Sequence, residues 1–373
     1  MVTSRFTSAV RPTAARVLHV VLPDGVDDPA TPSGGNVYDR RVCAALTAAG
    51  RRLVPVPVGG GWPIPTQPAL DRLDAALLAA PTGSVVLLDG IVACAAPDVV
   101  LRHAARLTLA VLVHLPLADE TGLSPSVAAA LDAGERRTLR AASAVIATSD
   151  AVRREVVHHH GLDASRVAVA PPGVDPAAVT AATPGGTRLV CVAAVTPRKG
   201  HDVLVEALAH VADLSWTCAC AGPLDRDPTH ADAVRERVRE LGLQARIRFP
   251  GVQTGSDLAA LYAAADLLVL ASRHEPYGMV VTEALARAVP VVGTHVDGVP
   301  QALGTAPDGA LPGLLVPSDD PTSLAAALRR WLSEPALRRH LRTAAAGRRR
   351  RLQSWRQTAR TLAGVLDDLG QEA

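Results

Sequence analysis

Short apolar runs alternate with longer segments whose apolar residues recur at helical spacing along most of the chain. Such runs between amphipathic segments are typical of parallel strands joined by crossover helices. The pattern therefore predicts an α/β protein with two Rossmann-like, doubly wound domains that face a central cleft. The predicted strands lie at 17–22, 52–58, 84–88, 107–114, 144–148 and 166–170, and then at 188–194, 214–221, 246–249, 267–271, 289–294 and 313–316.

Turn-forming and small residues separate the two sets of strands. Residues 171–176 read PPGVDP, and Ala, Thr, Pro and Gly dominate the stretch that follows. This composition favours a hinge. The predicted units are a disordered leader (1–16), a first domain (17–176), a hinge linker (177–187), a second domain (188–347) and a C-terminal helix (348–373).

Composition narrows the class of protein. Hydrophobic residues make up 48% of the chain and aromatic residues only 2%, so the cores must be built from Ala, Val and Leu. The 38 basic and 36 acidic side chains nearly cancel, which argues against a dedicated nucleic-acid-binding protein. No uninterrupted apolar run reaches the roughly 18 residues of a membrane-spanning helix. Five widely spaced or strand-borne cysteines indicate buried thiols in a reducing cytoplasm rather than a zinc site.

The segment before and inside one predicted helix carries two acids among apolar residues. Glu275 precedes a Pro-Tyr-Gly turn, and Glu283 lies inside the helix, about one and a half turns from its start. Free N–H groups at a helix start suit a phosphorylated ligand. The alternative is that Glu275 caps the helix and Glu283 pairs with Arg287. The expected ligand contacts around the turn are Tyr277, Gly278, Met279 and Val280.

Two basic residues stand where another strand passes into a helix. Arg198 and Lys199 follow the strand at 188–194 and precede a helix, so both are expected at the cleft. A guanidinium and an ammonium group beside a helix start can neutralise the charge that develops on a departing diphosphate. Alone, a Pro-Arg-Lys-Gly turn is equally typical of an exposed surface. Its pairing with the Glu275 segment favours the functional interpretation.

Three features of the first domain point to the same cleft. The Gly34-Gly35 pair opens a helix and lets the backbone approach a ligand, although a plain strand-to-helix turn would also explain it. His114 ends a strand before a polar loop, and we expect it to contact the substrate. Asp89 also follows a strand, where it makes either a turn or a substrate contact. The candidate substrate contacts here are Gly34, Gly35, Asn36 and Tyr38.

Three polar clusters have weaker functional interpretations. The histidines at 158–160 diverge on a helix without a nearby carboxylate in sequence, which predicts a solvated helix end. Asp225 and Asp227 lie in a Pro-rich loop, where we do not expect a metal site. The arginine run at 348–351 predicts either a solvated face or a weak contact with an anionic membrane surface.

These residues together resemble the family-4 retaining glycosyltransferases, which have the two-domain GT-B architecture. Glu275 and Glu283 match the Glu-x7-Glu motif of that family. The resemblance implies that Glu275 faces the hydroxyls of the transferred sugar and that Glu283 faces the ribose of the nucleotide. By the same likeness, Lys199 with Arg198 forms the basic site for the diphosphate.

The resemblance extends into the first domain and the C-terminus. His114 matches the family histidine that contacts the sugar, and Gly35 matches the glycine loop near the diphosphate. Trp355 matches the final helix that crosses back onto the first domain. This chain departs from the family by lacking an Arg in the turn before Lys199 and by having Gln301 in place of a common Glu. Tyr277 stands where Phe is usual.

The implied reaction moves a sugar from a UDP- or GDP-linked donor to the hydroxyl of an unknown acceptor, with retention of anomeric configuration. No metal or other cofactor is implied. One rival hypothesis is a catalytically silent sugar-nucleotide-binding protein of the same fold. A second is a sugar-nucleotide epimerase or a phosphorylase on a related fold.

Overall fold

The structure is a computed structural model that describes residues 17–28 and 33–372. The predicted leader at 1–16 lies outside the described residues. The described residues form two six-stranded parallel sheets, which confirms the predicted fold class. Across these ranges, no helix combines the length and the apolarity that are needed to cross a membrane.

The first sheet has the strand order β2-β1-β3-β4-β5-β6. Its edge strand β2 contains Pro55 and Pro57, which an edge tolerates because one side needs no ladder hydrogen bonds. The strands are β1 (Leu18–Pro23), β2 (Leu53–Val58), β3 (Val85–Asp89), β4 (Thr108–Val113), β5 (Ala144–Ala147) and β6 (Val167–Val169). The helices are α1 (Gly34–Ala48), α2 (Gln67–Ala79), α3 (Gly90–Ala93), α4 (Pro97–His103), α5 (Pro125–Ala141) and α6 (Asp150–His160).

The second sheet has the strand order β12-β11-β10-β7-β8-β9. Its strands are β7 (Arg188–Val192), β8 (Thr217–Ala221), β9 (Ile247–Gly251), β10 (Leu267–Leu270), β11 (Val291–Thr294) and β12 (Gly313–Val316). Its helices are α7 (His201–Ala209), α8 (Pro228–Glu240), α9 (Gly255–Ala263), α10 (Met279–Ala286), α11 (Val299–Leu303), α12 (Pro321–Ser333) and α13 (Pro335–Arg349). The chain order reverses between β1 and β3 in one sheet and between β7 and β10 in the other. Ligands of doubly wound sheets bind at such reversals.

A last helix, α14 (Trp355–Glu372), packs on the first domain. Trp355, Leu362 and Leu366 belong to the same apolar cluster as Tyr38 on α1. The chain thus passes between the domains twice, and the two passages touch. The Val174 N–H donates to the Gln353 carbonyl at 2.8 Å.

The predicted hinge at 177–187 is not a free linker. The buried Asp266 carboxylate accepts hydrogen bonds from Thr183 N at 2.7 Å and from Arg188 N at 3.0 Å. These contacts fix the segment to the second domain, so the passage between the domains lies at 171–176 instead. The predicted hinge position was wrong because Asp266, which is distant in sequence, accepts hydrogen bonds from the backbone of this segment and holds it in place.

The arginine run at 348–351 is largely engaged within the protein. Arg348 donates to the Leu303 carbonyl at 2.9 Å, and Arg349 donates to the Ala286 carbonyl at 2.7 Å. Both acceptors lie at helix C-termini, where cations are favoured by the helix dipole. For these two arginines, neither the predicted solvated face nor the predicted membrane contact applies. Their side chains instead bond α13 to the C-termini of α11 and α10.

Candidate active site

The predicted site residues of the second domain gather at the β7/β10 reversal. Lys199 Nζ lies 2.5 Å from Glu275 Oε2, although 76 residues separate them in the chain. The two side chains are only 15% and 11% exposed, so each charge depends on the other for compensation. Burial lowers the pKa of Lys199, and Arg198 adds to this effect while Glu275 opposes it. Arg198 donates from Nη1 to the His274 carbonyl at 3.2 Å.

Two hydrogen bonds hold Glu275 in its loop, one to its backbone N–H and one to its carboxylate. The Glu275 N–H donates to Asp297 Oδ2 at 2.7 Å, and the Ser272 hydroxyl donates to the Glu275 carboxylate at 3.2 Å. Gly278 then adopts φ of 90° to begin α10, a conformation that favours glycine. Glu275 is therefore in the loop as predicted. Asp297 was missed because its role depends on a contact across two loops.

Glu283 lies in α10 and accepts a hydrogen bond from the Tyr262 hydroxyl at 2.8 Å. Arg287 donates to the backbone carbonyl of Glu283 at 2.9 Å, and its guanidinium stacks on the Tyr262 ring. Burial raises the pKa of Glu283, while Tyr262 and Arg287 oppose the shift. In place of the alternative i,i+4 pair of Glu283 with Arg287, Arg287 bonds to the Glu283 backbone and the Glu283 carboxylate bonds to Tyr262. Sequence reasoning missed Tyr262.

The predicted residues of the first domain gather beside β1, β3 and β4. His114 Nε2 lies 2.9 Å from Asp39 Oδ1 and 4.0 Å from Asp89 Oδ2. Asp89 also caps α3 by accepting from Ile91 N at 2.8 Å, so turn-making and proximity to His114 are both present. A Cβ on Gly35 would lie 3.2 Å from His114 Cδ2, so a larger residue there would press on the imidazole ring.

Three predicted ligand contacts are structural instead. Tyr38 is 1% exposed, and its hydroxyl donates to the Ala170 carbonyl at 2.8 Å, so it cannot present itself to an acceptor. Tyr277 is 7% exposed and packs in the apolar cluster of the second domain. The Asn36 side-chain amide donates to the Gly25 carbonyl at 3.2 Å.

The N-termini of α1 and α10 face each other across the cleft. A Cβ on Gly34 would lie 3.9 Å from Met279 Sδ, so these two helix starts are in contact distance. Val280 follows Met279 on α10 and is partly buried against the same apolar cluster as Tyr277. A helix start has partial positive charge, and at α1 the Ser33 hydroxyl caps only the Asn36 N–H among the first residues of the helix described. The arrangement can hold an anion between the domains beside Lys199.

Two groups of side chains in the described ranges have metal-ligand spacing. One is Asp39, Asp89 and His114, and the other is Asp132, His159 and His160, each with its donor atoms within 4.8 Å of one another. At the predicted solvated helix end, His158 and His159 are exposed, whereas His160 is 1% exposed and lies 3.2 Å from Glu135 Oε2. Asp227, by contrast, caps α8 by accepting from His230 N.

Two family models match the chain in tandem. Residues 30–178 match the model described as Glycosyltransferase Family 4. Residues 177–348 match the model described as Glycosyl transferases group 1. The chain belongs to the family-4 glycosyltransferases. The junction of the two matched segments falls within the passage and linker between the two sheets.

Curated relatives of this family-4 chain include two enzymes named D-inositol 3-phosphate glycosyltransferase. The protein of Kineococcus radiotolerans is 35% identical over 70% of this chain and 64% of its own length. The protein of Salinispora tropica is 33% identical over 62% of this chain and 52% of its own length. The matches thus span about half to two thirds of these relatives.

Solved structures support the GT-B fold of this family-4 chain. Sucrose-phosphate synthase from Thermosynechococcus elongatus superimposes with a TM-score of 0.77 at 22% identity, covering 96% of this chain and 100% of the other. HepE of Anabaena, solved in complex with UDP-glucose, superimposes with a TM-score of 0.73 at 17% identity, covering 94% and 99%.

Proposed function

We propose that this protein is a retaining glycosyltransferase that moves a sugar from a nucleoside diphosphate sugar to an acceptor hydroxyl. The observation that carries the proposal is the convergence of two helix N-termini beside the buried Lys199–Glu275 pair. Partial positive charge from both domains and a full cation there suit a diphosphate. Membership of the family supports the reaction class, and the UDP-glucose complex of HepE supports the class of donor.

The donor is proposed to lie on the second domain. Lys199 and Arg198 hold the diphosphate together with the N–H groups at the start of α10. Glu283, oriented by Tyr262, accepts from the ribose hydroxyls. Glu275 accepts from the hydroxyls of the transferred sugar, which replaces part of its contact with Lys199. His114 approaches the same sugar from the first domain.

The chemistry is a substitution at the anomeric carbon. Its bond to the diphosphate oxygen breaks, and the acceptor oxygen forms a new bond on the same face. The acceptor proton passes to a diphosphate oxygen, so the leaving group serves as the base. Lys199 and the helix starts stabilise the negative charge that accumulates on the leaving group, and we propose that no metal is needed. Closure of the domains limits hydrolysis of the donor by water.

We place this reaction in the cytoplasm. The five cysteines carry free thiols, and Cys94, Cys191, Cys218 and Cys220 are buried. A reducing compartment preserves such thiols. A weak contact with an anionic membrane surface stays a proposal for the remaining two arginines of the run, Arg350 and Arg351, because Arg348 and Arg349 donate to backbone carbonyls.

The first test is a thermal-shift panel of UDP, GDP and their sugars, followed by a transfer assay with NMR analysis of the product anomer. A bound donor raises the melting temperature by mass action. Lys199→Ala and Glu275→Ala should abolish transfer, while Asp232→Asn, at an exposed site on α8, should not. Wild-type turnover in both site variants would refute the assignment.

The same assay separates the rival functions. Binding without transfer to any acceptor would support a silent sugar-nucleotide-binding protein. Conversion of the donor without acceptor would support an epimerase, and phosphate-dependent release would support a phosphorylase. Inversion of the anomeric configuration or loss of turnover with EDTA would each contradict one element of the proposal.

A further inference from the structure

A cavity of about 640 Å³ lies between the domains, next to the proposed position of the transferred sugar. Leu115, which follows His114, forms part of its wall from the first domain, and His274 and Pro276, which flank Glu275, form part of it from the second. Residues adjacent to His114 and Glu275, the two proposed contacts of the transferred sugar, thus border this space. An acceptor hydroxyl in this cavity can therefore reach the anomeric carbon. This step depends on the proposed function.

The charges that line this cavity are mainly negative. Asp119 lies after β4, Asp150 and Glu155 lie on α6, and Asp297 lies after β11. The basic lining consists of Arg154 and the two histidines His274 and His295. Four carboxylates therefore line this cavity together with one guanidinium and two imidazoles.

The carboxylates affect one another across the cavity. Burial raises the pKa of Glu155, and the charges of Asp119 and Asp297 raise it further. Burial likewise raises the pKa of Asp119, although His274 and Arg198 oppose the shift. Of these two groups, Arg198 belongs to the proposed diphosphate site and would be engaged by the donor. A bound donor therefore leaves the cavity with less compensation for its acids.

Two of the acids make hydrogen bonds at the cavity, Asp297 through its carboxylate and Asp150 through its backbone N–H. Asp297 accepts from Glu275 N at 2.7 Å, which fixes its carboxylate directly beside the proposed sugar site. The Asp150 N–H donates to Gln301 Oε1 at 2.9 Å, and this bond joins the two domains across the cavity. The carboxylates thus line the cleft between the domains, where Asp119 is partly buried and Asp150, Glu155 and Asp297 are exposed to solvent.

We infer that the acceptor is an amine-bearing polyol, such as an amino sugar or an aminocyclitol, whose ammonium group is bound by the acids of this cavity. A protonated amine would relieve the repulsion between Asp119, Glu155 and Asp297 and would form charge-assisted hydrogen bonds. A phosphorylated acceptor would add negative charge to the same space. In this respect the inference separates this chain from its relatives that are named for an inositol phosphate.

The experiment measures binding and transfer with three compounds that share one ring: glucosamine, glucose and glucose 6-phosphate. Each is titrated against the full chain in the presence of the nucleoside diphosphate that the thermal-shift panel selects, and each is then offered with the matching donor. We expect glucosamine to bind on the order of tenfold more tightly than glucose, as one charge-assisted contact gives. Glucose 6-phosphate should bind more weakly than glucose.

Variants identify the residues responsible. Glu155→Gln with Asp119→Asn should reduce the preference for glucosamine over glucose by about tenfold and leave nucleotide affinity unchanged. Asp232→Asn, which removes an exposed acid far from the cavity, should leave the preference unaltered. Glucosamine binding that is absent or no tighter than glucose binding would overturn the inference, as would tighter binding of the phosphate or an unaltered preference in the double variant.

The two proposals fail in different ways. Loss of nucleotide binding in the wild-type protein would contradict the glycosyltransferase assignment itself. Normal nucleotide binding together with the wrong order of the three compounds contradicts only the inference about acceptor charge.

Discussion

His114 and Asp39 form a partly buried hydrogen bond of 2.9 Å between Nε2 and Oδ1, across 75 residues of sequence. Burial alone lowers the pKa of His114, but the charge and hydrogen bond of Asp39 and the charge of Asp89 outweigh it. The resulting pKa of His114 is about 9. Near neutral pH the cleft therefore contains an imidazolium, which can donate to an oxygen of the sugar or the diphosphate.

Asp39→Asn is expected to make His114 neutral near pH 7. The pKa of His114 is raised above the unfolded value of 6.5, so its contribution to stability is complete below pH 6.5 and is lost as pH rises through about 9. The free energy of unfolding of the variant should fall by up to about 3 kcal/mol below pH 6.5 and change little above about pH 9. Denaturant unfolding across the window measures the effect, and His114 titration by NMR measures the pKa. An unchanged His114 pKa would contradict the assigned role of Asp39.

Lys199 and Glu275 should show strong coupling in a double-mutant cycle. Lys199→Met leaves the Glu275 carboxylate buried without its cation, and breaking a buried pair costs about 3–5 kcal/mol. Lys199→Met with Glu275→Gln removes both charges and should recover most of that stability. Denaturant unfolding gives the four free energies. Nucleotide-sugar turnover should stay absent in the double variant, which separates stability from function, and additive free energies would contradict the coupling.

Tyr262→Phe should weaken the binding of the nucleotide by acting through Glu283. The variant keeps the ring under Arg287 but removes the hydroxyl that donates to the carboxylate. A hydrogen bond to a charged group contributes about 1.5–3 kcal/mol, part of which is recovered by ribose hydroxyls in the complex. The dissociation constant of the nucleoside diphosphate should rise, while that of inorganic pyrophosphate should not. Equal weakening of both would contradict a role at the ribose.

Gly35→Ala should lower activity without lowering stability. The added Cβ would lie 3.2 Å from His114 Cδ2 and displace the ring, while alanine in a helix is favoured by about 1 kcal/mol over glycine. Gly364→Ala is the matched control, because nothing lies within 4 Å of its added Cβ on α14. Thermal unfolding and turnover are measured for both. Full activity of Gly35→Ala would show that the position of His114 does not matter.

Much of this arrangement could be predicted from local sequence. The apolar runs gave twelve strands because buried parallel strands need continuous hydrophobic segments, and the Pro-Tyr-Gly turn correctly separated Glu275 from the helix of Glu283. The strand ends also placed Lys199 and His114 at the cleft. These predictions depend on backbone preferences within a few residues.

The contacts that define the site depend on distant pairs, and for these the sequence held no signal. Asp39 lies on a helical face like many solvated acids, and only the fold brings it to His114. Tyr262 reads as an ordinary helix residue until α9 packs beside Glu283. Tyr38 and Tyr277 failed as predicted ligand contacts for the opposite reason, since proximity to a glycine turn in sequence does not indicate which way a side chain points.

The paired passages between the domains constrain how the cleft can open. Val174 and Gln353 are hydrogen-bonded neighbours, and a Cβ on Gly173 would meet the Trp355 backbone nitrogen at 2.2 Å. Because the two passages between the domains adjoin each other, they form a single hinge. The domains can rotate about this hinge, but a shear motion of one domain past the other is restricted. Lengthening only one of the two passages would distort this hinge. The range of domain rotation therefore depends jointly on residues that are far apart in sequence, such as Pro171 and Gln353, which are hydrogen-bonded across 182 positions.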